Sequence, residues 1–149
     1  MNNKTIPLSV PHLSLDILEN LKETIETGWV STGGRFIQEF ENKIAKYVGV
    51  KKAVACQSGT AGLHLALRVL DVGYGDEVIV PTLTFIAAVN PVRYVGAEPI
   101  FMDCDNNLNM DMNKLEEFLQ NECHYIDGKV INKKTKKAIK AIIAVHVFG

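Results

Sequence analysis

Ala53-Val54-Ala55-Cys56-Gln57-Ser58-Gly59-Thr60-Ala61-Gly62-Leu63 passes from a short apolar run through small residues directly into a helical pattern. Residues 53–56 read as a strand, and Leu63, Ala66, Leu67 and Leu70 continue at the spacing of one helix face. A strand that turns into a helix within two or three residues is the repeating joint of an α/β fold.

Downstream the same alternation recurs. Residues 77–80 predict a strand, 82–94 a helix and 99–102 a strand, and Asp111 is placed to cap a helix bearing Leu115, Phe118 and Leu119. Residues 138–147 predict a buried closing strand. The class is therefore α/β, with a mostly parallel sheet covered by helices on both faces. One interruption is expected. Tyr125-Ile126-Asp127-Gly128-Lys129-Val130 sets Asp-Gly between β-prone pairs, which predicts a two-residue hairpin, and 122–137 reads as a surface hairpin insertion.

Upstream, Leu15, Leu18, Leu21 and Ile25 predict an amphipathic helix over 14–27, with Ser14 as its cap and Gly28 as its stop. Phe36, Phe40, Ile44 and Tyr47 predict a second helix ending before Gly49, and 28–34 between them is a loop. No repeat, low-complexity tract or linker divides the sequence, so 1–149 is expected to be one continuous unit.

Composition narrows the function. With 47% hydrophobic and 22% charged residues, the chain has the makeup of a globular domain, and a net charge of −1 provides no basic excess for nucleic acid or anionic lipid. Three cysteines without a C-x-x-C pair, and a start lacking the apolar core of a signal peptide, fit a cytoplasmic protein. A small-molecule ligand is the natural partner.

The turn at Ser58-Gly59-Thr60 is the first candidate site. Amides at a helix start lack intrahelical partners, and with the helix dipole and the Ser58 and Thr60 hydroxyls they can hold a phosphate. The plainer alternative is that Ser58 only caps the helix. There is no G-x-x-x-x-G-K-[ST], and Gly73-Tyr74-Gly75 leads to Val78 where G-x-G-x-x-G needs glycine, so two common phosphate motifs are excluded. Phe85 follows the carboxyl end of the 77–80 strand, where ligands of open α/β sheets collect, and can stack on a flat ring; taken alone it reads as core packing, and it gains weight as a ligand residue only beside the phosphate turn.

These segments together resemble a known family. Ser58-Gly59-Thr60-Ala61, Gly75-Asp76-Glu77-Val78-Ile79-Val80-Pro81, Thr84-Phe85, Gly96-Ala97-Glu98-Pro99 and His146-Val147-Phe148-Gly149 resemble, in order and spacing, the DegT/StrS group of sugar-nucleotide aminotransferases. Pro7-Leu8-Ser9-Val10-Pro11 and Gly28-Trp29-Val30-Ser31 extend the likeness over nearly the whole chain.

The resemblance implies the N-terminal part of the large domain of a fold-type I enzyme that uses pyridoxal 5'-phosphate. Ser58, Gly59 and Thr60 would bind the cofactor phosphate and Phe85 would pack on its pyridine ring. Trp29, Val30, Ser31, Thr32 and Asn90 would lie at the nucleotide-sugar site, although Trp29 is also accounted for as a tryptophan packed in a glycine-rich turn. The full-length protein would be a homodimer.

More narrowly, 81–86, 101–105 and the hairpin look like the branch making 4-amino sugars for legionaminic acid and related surface glycans. That branch would aminate a UDP-linked 4-keto-6-deoxy-N-acetylhexosamine with glutamate as donor. The family's Schiff-base lysine and the aspartate that keeps the pyridine nitrogen protonated are expected beyond Gly149, so these residues alone are expected to be inactive. Two other readings stay open: a non-catalytic module binding a phosphate ligand, and a relative that dehydrates the sugar, with histidine replacing the lysine.

Other reactive residues receive bland roles. Lys51 and Lys52 precede the first strand, and Lys133, Lys134, Lys136 and Lys137 belong to the charged hairpin face. Asp103 and Asp105 are expected to cap a turn. His64 and His146 have no neighbouring ligand residues, so no metal is assigned.

Overall fold

The computed structural model describes residues 5–7 and 9–148, so Leu8 of the opening motif and Gly149 of the closing one lie outside the described residues. The chain forms two compact units, which meet in sequence between Ala55 and Cys56.

The first unit is a helical pair, α1 (Ile17–Thr27) and α2 (Arg35–Val48). Both end as the sequence predicts, on glycines in the left-handed region: Gly28 at φ 72° and Gly49 at φ 76°. The predicted cap of α1 is corrected. The helix begins after Asp16, and the Ser14 hydroxyl donates to the Asp16 carboxylate instead of accepting from a helix amide. Arg35 ties the two helices together with a 2.5 Å contact to Glu23.

Residues 53–56 differ from expectation too. They adopt no strand; the Ala55 amide donates to the Glu41 carboxylate of α2 at 2.9 Å, where a strand residue would bond to a neighbouring backbone.

The second unit contains α3 (Gly59–Val69), β1 (Asp76–Pro81), α4 (Asn90–Tyr94), β2 (Glu98–Met102), α5 (Met112–Glu122), β3 (Cys123–Ile126), β4 (Lys129–Asn132) and β5 (Ala138–Ile142). The sheet order is β2-β1-β5-β4-β3. β1 pairs in parallel with β2 and β5, whereas β4 pairs antiparallel with β5 and β3. The sheet is thus mixed: a parallel half carrying the α/β character, and a hairpin half.

β1 is the centre, and its apolar run explains why. Val78, Ile79 and Val80 are fully buried, with Val78 and Val80 in one core with α3 and α4 residues and Ile79 in another with Leu115 of α5. Alternate side chains of one strand thereby fill cores on both faces. Each such side chain contributes about 1.5–3 kcal/mol by leaving water.

The hairpin turn is as predicted, with Asp127 at φ 49° and Gly128 at φ 78°, the two left-handed residues a tight antiparallel reversal requires. It also does more than decorate the surface, because β4 joins the sheet through Val130 opposite Ile139 and Ile131 opposite Ala138. Asn132, at the end of β4, donates to the buried Glu77 carboxylate of β1 at 3.0 Å. The Cys123 thiol is pushed up from its ordinary pKa by burial and, secondarily, by the Glu77 charge.

Two further boundaries shift. The segment expected to be helical over 82–94 contains bends, a single 3₁₀ turn at Ile86–Ala88 and the short α4. Pro91, which has no amide hydrogen, is accommodated in the first turn of α4, so the helix can begin only just before it. The closing strand stops at Ile142, although the Ile143 amide still donates to the Ile79 carbonyl at 2.8 Å and keeps the backbone alongside β1.

Candidate active site

At the start of α3, Ser58 is extended (φ −161°, ψ 161°) and its hydroxyl accepts from the Ala61 amide at 3.2 Å. The capping role weighed from sequence is therefore present. The helix ladder opens with the Gly62 amide donating to the Ser58 carbonyl at 3.1 Å. The Gly59 and Thr60 amides precede that bond and have no partner among the described residues.

Gly59 does not adopt the left-handed backbone that would demand glycine, and a Cβ placed on it would meet no atom within 4 Å. Its missing side chain therefore leaves open space over the helix start. That space belongs to a cavity of about 510 Å³ lined by Gly59, Thr60, Thr84, Phe85, His146 and several small apolar residues. The volume suits a small-molecule ligand.

Strand topology explains why these segments meet. β1 and β5 are parallel neighbours, so Thr84 and Phe85 beyond β1, and His146 beyond β5, emerge at the same end of the sheet. Phe85 is 80% exposed, so it is not the core residue its type would ordinarily make it. His146 escaped sequence reasoning because an isolated histidine forms no pattern and the predicted strand over 138–147 enclosed it; the end of β5 at Ile142 is what releases it to the cavity.

The structure brings Gly59, Thr60 and Phe85 into one cavity, with Ser58 bonded to the α3 amide beside it. Asn90 opens α4, half-buried, and does not line that cavity. In the first unit, Trp29, Val30 and Ser31 line a separate cavity of about 610 Å³ with residues of α1 and α2, and Thr32 does not. A Cβ on Gly33 would lie 2.8 Å from the Trp29 indole, so the ring rests directly on the glycine turn.

Asp103 and Asp105 act within their turn. Asp105 accepts from the Asn107 and Asn109 amides at 2.8 and 3.0 Å, while Asp103 accepts from the Cys104 amide and pairs with Lys114 of α5. Asp111 caps α5 by accepting from the Asn113 and Lys114 amides.

Residues 11–149 match the model of the DegT/DnrJ/EryC1/StrS aminotransferase family. The chain belongs to that family. Pyridoxal phosphate is the cofactor of these aminotransferases, and the open amides of Gly59 and Thr60 beside an exposed aromatic ring fit a phosphorylated ring compound. Across 146 residues the chain is 42% identical to GDP-perosamine synthase of Escherichia coli O157:H7, covering 98% of this chain and 36% of that protein. It is 37% identical over 120 residues to UDP-4-amino-4-deoxy-L-arabinose–oxoglutarate aminotransferase of Shewanella sediminis, covering 80% and 31%.

Among solved structures, a DegT/DnrJ/EryC1/StrS aminotransferase from Brucella abortus superposes with a TM-score of 0.74 at 34% identity, over 89% of this chain and 33% of that one. The architecture is that of fold-type I aminotransferases. The chain spans about a third of the length of these relatives.

Proposed function

We propose that the protein carrying this chain is a pyridoxal-phosphate-dependent aminotransferase that converts a nucleotide-linked 4-keto-6-deoxy sugar to its amino sugar for surface-polysaccharide synthesis. The observation that carries the reading is the single cavity shared by the Gly59 and Thr60 helix start and the Phe85 ring. In this proposal the chain is the N-terminal part of the cofactor-binding domain of a cytoplasmic homodimer.

The residues have distinct tasks. The Gly59 and Thr60 amides, aided by the dipole of α3, hold the cofactor phosphate; the Ser58 hydroxyl keeps that helix start in shape. Phe85 presents its face to the pyridine ring and keeps water from that side. When bound, pyridoxal phosphate supplies the electron sink that lets an amino group leave one carbon and join another. Among the described residues no lysine lines the cavity; in this proposal the proton-moving amine comes from outside these residues, and the 149 residues alone are inactive.

Substrate recognition is assigned to the loop at Trp29, Val30, Ser31 and Thr32, whose exposed indole can stack on a nucleotide base or sugar. Glutamate is the proposed donor, in keeping with the oxoglutarate named for the Shewanella relative. Similarity to GDP- and UDP-sugar enzymes supports the nucleotide-sugar class; within it, a UDP-linked N-acetylhexosamine is proposed on the resemblance of 81–86, 101–105 and the hairpin alone.

The test is purification of the full-length protein, dialysis after loading with pyridoxal phosphate, and incubation with glutamate and UDP- or GDP-linked 4-keto-6-deoxy sugars. Retained cofactor absorbance and an amino-sugar product support the reading. Loss of a hydroxyl without gain of nitrogen would assign a dehydrating activity, and absence of cofactor retention would leave only a phosphate-binding module.

A further inference from the structure

Of the aspartates in the chain, all but one have work within the fold. The Asp76, Asp103, Asp105 and Asp111 carboxylates accept backbone amides, Asp16 accepts the Ser14 hydroxyl, and Asp71 faces the Lys140 ammonium at 3.9 Å. Each of these is followed by a residue that carries a side chain. Asp127 differs on both counts. Its carboxylate has no hydrogen-bond or ion-pair partner among the described residues, and Gly128 follows it.

The surroundings expose these two neighbours to each other. Both are solvent-facing at the tip of the β3–β4 hairpin, and the Gly128 amide donates to nothing among the described residues. A Cβ built on Gly128 would meet no atom within 4 Å, so neither a side chain nor a packed neighbour shields its nitrogen. Asp127 is held at φ 49°, a left-handed angle that costs an L-residue energy and that opening of the turn relieves. The hairpin joins β5 through two residue pairs, so its tip can open locally while β1 keeps its pairing with β2 and β5.

We infer that Asp127 is a site of spontaneous isoaspartate formation. When the turn opens, the Gly128 nitrogen attacks the side-chain carboxyl carbon of Asp127. The N–Cγ bond forms, the amide proton and the carboxyl hydroxyl leave as water, and a five-membered succinimide closes. Water then adds to one of the two ring carbonyls. Addition at Cγ restores aspartate; addition at the main-chain carbonyl breaks that carbon's bond to nitrogen and leaves a backbone running through Cβ and Cγ. One water is lost and one gained, and nothing is oxidised or reduced. The product lengthens the main chain by a methylene at the reversal, where a two-residue turn no longer fits the ladder.

The experiment stores the full-length protein at neutral pH and body temperature for several weeks, measures isoaspartate by enzymatic methylation with a labelled methyl donor, and maps the label by peptide digestion. In wild type most of the label is expected in the peptide spanning 127–128. Asp127→Glu is expected to lose it, because the larger ring closes far more slowly. Asp127→Asn is expected to label the same peptide sooner, with the mass change of ammonia lost and water gained.

Wild-type label that is absent from 127–128, or that lies mainly at another aspartate, overturns the inference. So does a glutamate variant labelled there as wild type is, or an asparagine variant that stays unlabelled. Label that appears at 127–128 in urea-unfolded protein but not in native protein also overturns it, since the folded turn then prevents the attack.

Discussion

Gly59 and Ser58 sit side by side and carry separable loads. Gly59 has ordinary backbone angles and empty space where a side chain would stand, so Gly59→Val fills cavity volume, with only a modest effect on the helix. The expected outcome is at least about a tenfold weaker hold on pyridoxal phosphate by the full-length protein, measured by titration, with a melting point of the cofactor-free form close to wild type. Ser58→Ala acts the other way round. It removes the acceptor for the Ala61 amide, and chemical denaturation should show a loss of about 0.5–2 kcal/mol. Both residues stood out in the sequence because small residues leading directly into a helical pattern mark a helix start. The histidine across the cavity did not, since only the pairing of β1 with β5, separated by a long stretch of sequence, brings it there.

At the scale of elements, local chemistry was read well and long-range pairing less well. Gly28, Gly49 and Asp111 end or begin helices as expected because each acts on its own neighbours. Residues 53–56 have a strand's composition, yet a ladder needs a partner, and Glu41 takes the Ala55 amide instead. The link between β2 and α5 offers a pH test. The Lys114 ammonium, followed by the Cys104 amide, holds the Asp103 carboxyl below its ordinary pKa, and the same contact raises Lys114.

A lowered carboxyl contributes stability above its unfolded pKa and loses it as pH falls through the folded value; a raised amine contributes below its unfolded pKa and loses it as pH rises through the folded one. The pair's contribution is therefore full across neutral pH and fades at both extremes. Because both groups are exposed, it is small. Asp103→Asn should lower the urea midpoint slightly and evenly between about pH 6 and 9, with the difference from wild type vanishing near about pH 2.

For the molecule as a whole, the sheet has two ends with different duties. Residues past the carboxyl ends of β1 and β5 line the cavity, while the hairpin joins β5 at Ala138 and Ile139, its amino end. The α/β class followed from alternation of strands and helices, but the extent of the hairpin's incorporation did not: two residue pairs and one Asn132–Glu77 bond are interactions that no local pattern records. Asn132→Leu is expected to destabilise the full-length protein by about 1–3 kcal/mol in denaturant, since it removes the hydrogen-bond donor of a buried carboxyl group, while Asn132→Asp fares no better because it sets two carboxyl groups together.

The Asp127–Gly128 reversal is the tip of a hairpin whose join to β5 is a seam two residue pairs wide at Ala138 and Ile139. Such a tip is a natural splice point. An epitope or small reporter domain grafted between those two residues could be carried as cargo, giving a labelled protein whose parallel strands keep their own pairing.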